Sequence, residues 1–266
     1  MKLRLLIIAC LLLTTFPVSA GPLVARFQSV LGGFDVLLDP LAAPQSVKNF
    51  SAYANRGAYD TSIIHRSTTY YPPGIQIVQG GGFELVGNTI EPVATDLPIP
   101  LEAGVANTQG TLAMARTTQP NSATSQWYFN VQSNPGLDFN YAVFGRVMGT
   151  GMSVVNAIGQ VAVYNASQDL GGAFGELPLL ADSLAVQNLV LINSVRVAPL
   201  AITNITRIGN TTKLLWLALS SNTPVRVERT TDLNGSWASV ANGLTTGEFT
   251  DTSSLAGSAF YRLVTE

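Results

Sequence analysis

The sequence predicts a mainly β protein, with a closed antiparallel barrel followed by a smaller β domain. Three observations support this fold class. Short runs of apolar and β-branched residues, bounded by Gly, Pro and Asn, recur along the chain. Only two segments show the apolar spacing of three and four residues that is typical of a helix. After Pro199 the composition shifts to Thr, Ser and Asn, with short alternating runs.

The bulk composition indicates a globular protein with a real core. The chain has 266 residues, enough for one large or two modest domains, and is 47% hydrophobic with 11% charged residues. Its 14 Lys and Arg against 16 Asp and Glu give a formal net charge of −2. No basic stripe is present, so nucleic acid is not an expected partner.

Residues 1–20 have the three parts of a secretory signal peptide. Lys2 and Arg4 form a positive start, residues 5–13 an apolar stretch, and residues 18–20 a small-residue cleavage site. The apolar run is too short for a permanent span, so no membrane span is expected after cleavage. We expect an exported protein, in the periplasm, at the cell surface or outside the cell. A lipoprotein-like site at Cys10, the only cysteine, is a weaker alternative to cleavage after Ala20.

The elements of the first domain, residues 21–198, follow in order. Two strand-like runs flank Gly32-Gly33 and predict a β-hairpin. A helix should begin at Pro44 and end at Gly57, and a second should cover residues 152–158. The hairpin strands cover 24–30 and 34–38, and further strands are expected at 63–64, 75–78, 110–115, 127–131, 142–147 and 189–197. Residues 161–187 form a long connection without an evident role.

Residues 199–266 predict a small β-sandwich-like module. Strands are expected at 213–219, 225–229, 237–240 and 260–263. The module is vaguely similar to fibronectin-like C-terminal modules of exported bacterial proteins. Such a module more often binds or tethers than reacts, so its partner would be an unknown surface or protein. Its Trp216, Trp237, Phe260 and Tyr261 are more typical of core packing than of a sugar-binding platform.

Four motifs carry the chemistry: Ile64-His65-Arg66, the Gln79-Gly80-Gly81 stretch, residues 113–116 and residues 121–130. They bring one arginine and two glutamines into apolar and aromatic surroundings. They contain no nucleophile beside a base, no paired carboxylates and no metal-ligand cluster. Such a set suits a reaction that breaks no covalent bond.

In order and spacing, these motifs resemble the cyclophilin family of peptidyl-prolyl cis/trans isomerases, in its bacterial form, from about Val24 to about Val197. The resemblance implies an eight-stranded barrel and isomerase activity that assists the folding of exported proteins. It implies proline-containing polypeptides as substrates, and neither a metal nor another cofactor.

The resemblance also implies roles for individual residues. Arg66 would be the catalytic donor and Gln79 would hold its guanidinium. Substrate-binding positions are the pocket walls Ile77, Tyr128 and Leu137, the floor residues Met114 and Ala115, the backbone of Arg116, the groove residue Gln126, and Tyr141 in place of a histidine. The single histidine, His65, is expected to be structural, because it should point away from the face that carries Arg66.

Three departures from the family pattern matter. The loop at 67–74 contains about five extra residues, including Tyr70 and Tyr71. Tyr128 adds a hydroxyl that is expected to narrow or wet the pocket. Gly136 stands in place of a tryptophan or phenylalanine, so cyclosporin binding should be weak. The rival interpretations are a non-catalytic binder of proline-containing segments and an adhesion protein dominated by its C-terminal module.

Overall fold

The structure is a computed structural model that describes residues 22–69, 74–216, 224–253 and 259–265. The predicted leader at 1–20 and the two tyrosines of the 67–74 loop lie outside the described residues. Among the residues that are described, no helix has the length and apolar character needed to cross a bilayer.

The first part of the chain is mainly β, as predicted, with a few short helices. Eleven antiparallel strands join in the order β4-β5-β9-β8-β10-β2-β1-β13-β3-β6-β7. The first thirteen strands, of which β11 and β12 form a separate pair, are β1 Leu23–Ser29, β2 Gly32–Leu38, β3 Ser62–Ile63, β4 Arg66–Ser67, β5 Ile77–Gly80, β6 Phe83–Val86, β7 Thr89–Pro92, β8 Thr111–Met114, β9 Trp127–Asn130, β10 Val143–Val147, β11 Val163–Tyr164, β12 Leu177–Pro178 and β13 Leu191–Pro199. The sheet curls into a half-barrel, and a closed barrel of eight strands stays a prediction.

Large apolar side chains fill the concave face of this sheet. Phe27 stacks on Phe34 with 5.0 Å between ring centroids, and Trp127 and Phe129 meet Phe27 edge-on. These rings are fully buried. Their burial removes large apolar areas from water and provides the main driving force for curling the sheet.

The two predicted helices form where the apolar spacing placed them. Helix α1 covers Pro44–Asn55 and begins with proline in its first turn, where the missing N–H has no partner to lose. It buries Val47, Phe50 and Tyr53 on one face. Helix α2 covers Met152–Gly159, and a further short helix, α3, covers Ser167–Leu170.

The predicted strand at 75–78 begins two residues later. The backbone N–H of Gln76 donates to Oδ1 of Asn134 at 2.9 Å instead of joining a neighbouring strand. The hairpin of β6 and β7 was not predicted. It turns at Gly87, whose φ of +62° lies in the left-handed region that favours glycine.

The C-terminal part folds as two three-stranded antiparallel sheets, in the orders β14-β15-β18 and β17-β16-β19. Their strands are β14 Ile202–Ile208, β15 Thr211–Trp216, β16 Val225–Thr230, β17 Ala238–Leu244, β18 Glu248–Asp251 and β19 Phe260–Thr265. Strands β14 and β18 were not predicted. The preference for core packing is right for Trp216 and Tyr261, whereas Phe260 is 38% exposed.

The C-terminal sheets share one hydrophobic cluster with the half-barrel. Leu214 and Trp216 of β15 and Val225 of β16 are buried in this cluster together with Val24 of β1 and Met148. Strand β13 leads into β14 through only two residues, Leu200 and Ala201. The two parts therefore pack against each other through apolar contacts.

Candidate active site

Strand pairing places the functional side chains in one row across the sheet. Arg66 of β4 lies opposite Gln79 of β5, and Gln79 lies opposite Tyr128 of β9. Tyr128 in turn lies opposite Ala113 of β8, which faces Val143 of β10. Directly opposed residues point to the same face of a sheet. With strands about 4.8 Å apart, the row spans about 20 Å on the face away from the aromatic core.

Arg66 stands at one end of this row beside a cavity of about 360 Å³. The cavity is lined by His65, Arg66, Gln79, Gln126 and residues of the 172–176 segment. The side chain of Arg66 is 43% exposed. Its Nε donates to Oε2 of Glu176 at 2.8 Å, so the guanidinium is held at the cavity rather than left in solvent.

The side-chain amides of Gln79 and Gln126 are hydrogen-bonded to each other. Nε2 of Gln79 donates to Oε1 of Gln126 at 2.8 Å. The bond links β5 to the segment that precedes β9, next to Arg66. It fixes the two amides that face the cavity.

The glycines after Gln79 allow this close approach. A Cβ on Gly82 would lie 2.8 Å from the side chain of Gln126, and one on Gly80 would lie 2.7 Å from Trp127. Such distances are too short for real Cβ contacts. These glycines therefore serve tight packing of the residues after Gln79 against Trp127 and Gln126.

A buried apolar cluster occupies the middle and far end of the row. Ile77, Tyr128 and Leu137, the predicted pocket walls, are buried together in it with Ala113 and Val143. Val105, Ala115 and Tyr141 are partly buried at the edge of this cluster. The cluster is of the apolar kind that a proline ring needs, and a pocket for that ring stays a prediction.

The hydroxyl of Tyr128 points away from water. It donates to Oδ1 of Asn107 at 2.8 Å, and Asn107 also accepts from Nδ2 of Asn130 at 3.1 Å. Burial raises the pKa of Tyr128 well above its usual range, so the phenol stays neutral. The hydroxyl is satisfied inside the protein, contrary to the expectation that it would wet the pocket.

Tyr141 and Arg116 form the outer rim of the groove. The ring of Tyr141 meets Tyr128 edge-on at 5.7 Å, and the guanidinium of Arg116 lies 4.7 Å from the centre of the Tyr141 ring. Nε of Arg116 donates to the carbonyl of Asn140 at 2.7 Å. A second cavity next to Gln79 and Gln126 is lined by Ala115 and Arg116.

His65 is buried beside the row, at the wall of the cavity that Arg66, Gln79 and Gln126 also line. Its ring packs edge-on against Phe83 at 5.1 Å and against Phe174 at 6.3 Å. Burial lowers the pKa of His65 to about 4, so the ring is neutral at physiological pH. The placement agrees with the predicted structural role. In the part of the chain that the structure describes, no group of three metal-ligating side chains occurs.

Comparison with known proteins identifies the family. The family model described as cyclophilin type peptidyl-prolyl cis-trans isomerase/CLD matches residues 24–171, more than half of the chain. The chain belongs to the cyclophilin-type isomerases. It is 44% identical over 141 residues to peptidyl-prolyl cis-trans isomerase A of Dickeya dadantii, which covers 50% of this chain and 70% of that protein.

A second bacterial relative supports the same family. Peptidyl-prolyl cis-trans isomerase B of Escherichia coli is 43% identical over 130 residues, covering 45% of this chain and 74% of that protein. A solved cyclophilin-type isomerase of Cryptosporidium parvum, determined in the presence of the dipeptide Ala-Pro, covers 65% of this chain and 97% of its own length. Its TM-score is 0.48 at 20% sequence identity. The activity of this cyclophilin is peptidyl-prolyl cis/trans isomerisation.

The predicted floor of the pocket needs one correction. Met114 does not line the pocket of this cyclophilin but lies in the aromatic core, 1% exposed. Side chains alternate along a strand, so Ala113 and Ala115 face the pocket while Met114, opposite Trp127, faces inward.

The predicted partner of Arg66 also differs from the observed one. Gln79 was expected to hold the guanidinium, but its amide donates to Gln126, and the carboxylate on Arg66 comes from Glu176. Sequence reasoning missed Glu176 because it lies 110 residues from Arg66 in a segment without a motif. Ala113, Val143 and Asn107 were missed as well. The first could have been found from the alternation of β8.

Proposed function

We propose that this cyclophilin catalyses isomerisation by directing the Arg66 guanidinium at the nitrogen of a prolyl bond. The barrier of about 20 kcal/mol to rotation arises from amide resonance. At the top of this barrier the bond is twisted, and the nitrogen carries a lone pair that the planar isomers lack. A hydrogen-bond donor directed at this lone pair stabilises the transition state more than the planar substrate, and so accelerates the reaction.

The observation that carries the proposal is the row from Arg66 to Val143. In this row Arg66, a permanently charged donor, lies two strands, about 10 Å, from Tyr128, so its side chain could extend toward a proline bound at the apolar cluster. A proline ring among Ile77, Tyr128 and Leu137 would present its nitrogen toward Arg66. Gln79 and Gln126, with Ala115 and the backbone of Arg116, would bind the neighbouring peptide groups along the groove.

The test is the activity of the Arg66→Ala variant, measured by exchange NMR on an Ala-Pro peptide. We expect its isomerisation rate to fall by about 100-fold, the usual cost of removing one preorganised donor. Arg146→Ala is a matched control, because Arg146 is exposed on β10 and donates to Thr108 and Gln109 instead. An Arg66→Ala variant as active as Arg146→Ala would contradict the mechanism.

We propose further that the protein is exported and assists the folding of exported proteins in the periplasm, at the cell surface or outside the cell. The support is the signal-peptide pattern of residues 1–20. The full chain, expressed in a Gram-negative host, should be processed to a form that begins at Gly21 and leaves the cytoplasm. Unprocessed protein in the cytoplasm would contradict this, and a Cys10→Ser variant with altered processing would favour the lipoprotein alternative.

For the architecture, we propose an eight-stranded barrel capped by α1 and α2 for residues 21–198 and a fibronectin-like β-sandwich for residues 199–266. The sandwich is supported by the two three-stranded sheets that share one apolar cluster. The partner of this module would be a surface or protein outside the cytoplasm. A truncated protein that loses surface association while keeping isomerase activity would support a tethering role.

A further inference from the structure

The long connection at 161–187 is anchored beside the active site by buried apolar side chains. Phe174 and Leu177 lie in one cluster with Ile63 of β3, and the ring of Phe174 is 4.5 Å from that of Phe83. Since Glu176 lies between these two buried residues, its backbone is fixed from both sides.

The backbone of Glu176 is also tied to the strand that carries Arg66. The N–H of Ser67 donates to the carbonyl of Glu176 at 2.9 Å. This bond sets the Glu176 side chain next to Arg66 before any contact between the two charged groups is made. The ion pair is therefore built into the backbone arrangement.

The carboxylate of Glu176 occupies one edge of the Arg66 guanidinium. Oε2 accepts from Nε at 2.8 Å, and among the described residues Glu176 is the one acidic partner of Arg66. A guanidinium is planar, so a bond at Nε restrains the plane and the direction of both terminal nitrogens. The two terminal nitrogens of Arg66 then remain to donate hydrogen bonds to the substrate.

Two opposite effects of this pair must be weighed. A negative charge reduces the positive potential of Arg66, but both side chains are about half exposed, where solvent screens the Coulomb interaction strongly. A free arginine side chain samples many rotamers, so holding it in one direction favours the productive geometry. Positioning therefore outweighs charge reduction.

We propose that Glu176 is a positioning residue, whose carboxylate orients Arg66 toward the prolyl nitrogen. The inference rests on the proposed role of Arg66. It also gives the 161–187 connection a role in catalysis, since that segment delivers the carboxylate.

The experiment compares Glu176→Ala, Glu176→Gln and Asp169→Asn. We expect Glu176→Ala to lower kcat by about 5- to 20-fold with KM changed by less than about twofold, short of the ~100-fold that full misplacement costs. Glu176→Gln should lose less, because its amide oxygen can still accept from Nε. Asp169→Asn removes one acidic charge from an exposed position of the same connection and should keep full activity.

The Arg66→Ala background separates positioning from other roles. If Glu176 acts through Arg66, Glu176→Ala causes no further loss in that background. Wild-type kcat in Glu176→Ala and Glu176→Gln, or an equal loss in both backgrounds, would overturn the inference while leaving the role of Arg66 intact. An active Arg66→Ala would instead overturn the proposed mechanism and this inference with it. Thermal melting confirms that each variant is folded.

Discussion

At the scale of single residues, burial determines the protonation state of side chains, which the sequence alone does not reveal. His65 is 2% exposed, and its pKa is lowered from 6.5 to about 4, chiefly by desolvation. The native protein thus keeps this ring neutral where the unfolded chain already binds a proton. Burial keeps His65 out of acid–base chemistry. It also makes the free energy of unfolding depend on the protonation of His65.

The free energy of unfolding should therefore decrease as the pH is lowered from about 6.5 to about 4. In this window the unfolded state takes up the His65 proton and the native state does not, so acid favours unfolding. The contribution is about 3 kcal/mol, present in full above pH 6.5 and lost as the pH approaches 4. Urea unfolding of the wild type and of His65→Leu at several pH values measures it. Since His65 is the only histidine, parallel pH profiles of the two proteins would contradict this account.

Tyr128 offers a second test at this scale. Tyr128→Phe removes the hydroxyl that donates to Asn107 but leaves the Asn130 donor in place. We expect the unfolding free energy to drop by about 0.5–1.5 kcal/mol, the usual worth of one hydrogen bond. The kcat/KM should change by less than about threefold, because the hydroxyl does not face the substrate. A loss of more than tenfold would show that it does.

At the scale of elements, local sequence patterns predicted the helices and the first hairpin, whose formation depends mainly on neighbouring residues. Helices α1 and α2 follow from apolar spacing. The β1–β2 hairpin was also predicted, but its turn lies at Val30 and Leu31, and the two glycines expected there belong to β2, paired with Ser29 and Gln28. The prediction of the floor residue was wrong by one position. Met114 and Ala113 are both apolar, and only the alternation of side chains along β8 decides which of them faces the core. The Glu176 contact could not be predicted, because it depends on how a long connection folds back onto β4.

The short turn at Pro135–Leu137 gives a prediction at this scale. A Cβ on Gly136 would meet no atom within 4 Å, so a large side chain can be added without a clash. We expect weak cyclosporin binding in the wild type and binding at least about tenfold tighter in Gly136→Trp, because an added ring provides apolar contact area. A fluorescence titration measures both affinities. Gly136→Ser is the control, and tight binding by the wild type would refute the expectation.

At the scale of the whole molecule, the C-terminal sheets act as a cover for part of the half-barrel. Val24 is 4% exposed and Met148 7% exposed because Leu200 and Trp216 pack in the same cluster. Composition marked the boundary near Pro199 but gave no sign of this contact, since apolar residues on the outer face of a strand do not reveal their partner.

Removal of residues 200–266 should lower the stability of the remaining domain. Exposing part of Val24, Leu37 and Met148 costs about 1–3 kcal/mol, or roughly 2–12 °C in Tm for a domain of this size. Differential scanning calorimetry of the full chain and the truncated protein measures the difference. Polar substitution of Met148 in the full chain should reproduce part of it, and an unchanged Tm after truncation would show that the contact is not stabilising.

The most direct test of the central claim separates binding from rotation in one sample. NMR line shapes of an Ala-Pro peptide give the affinity of each isomer and the rate of their interconversion on the enzyme. For Arg66→Ala we predict a rate about 100-fold lower and affinities within about threefold of the wild type, because the lone pair exists only in the twisted state. A rate loss explained entirely by weaker binding, or no loss, would contradict transition-state stabilisation by Arg66.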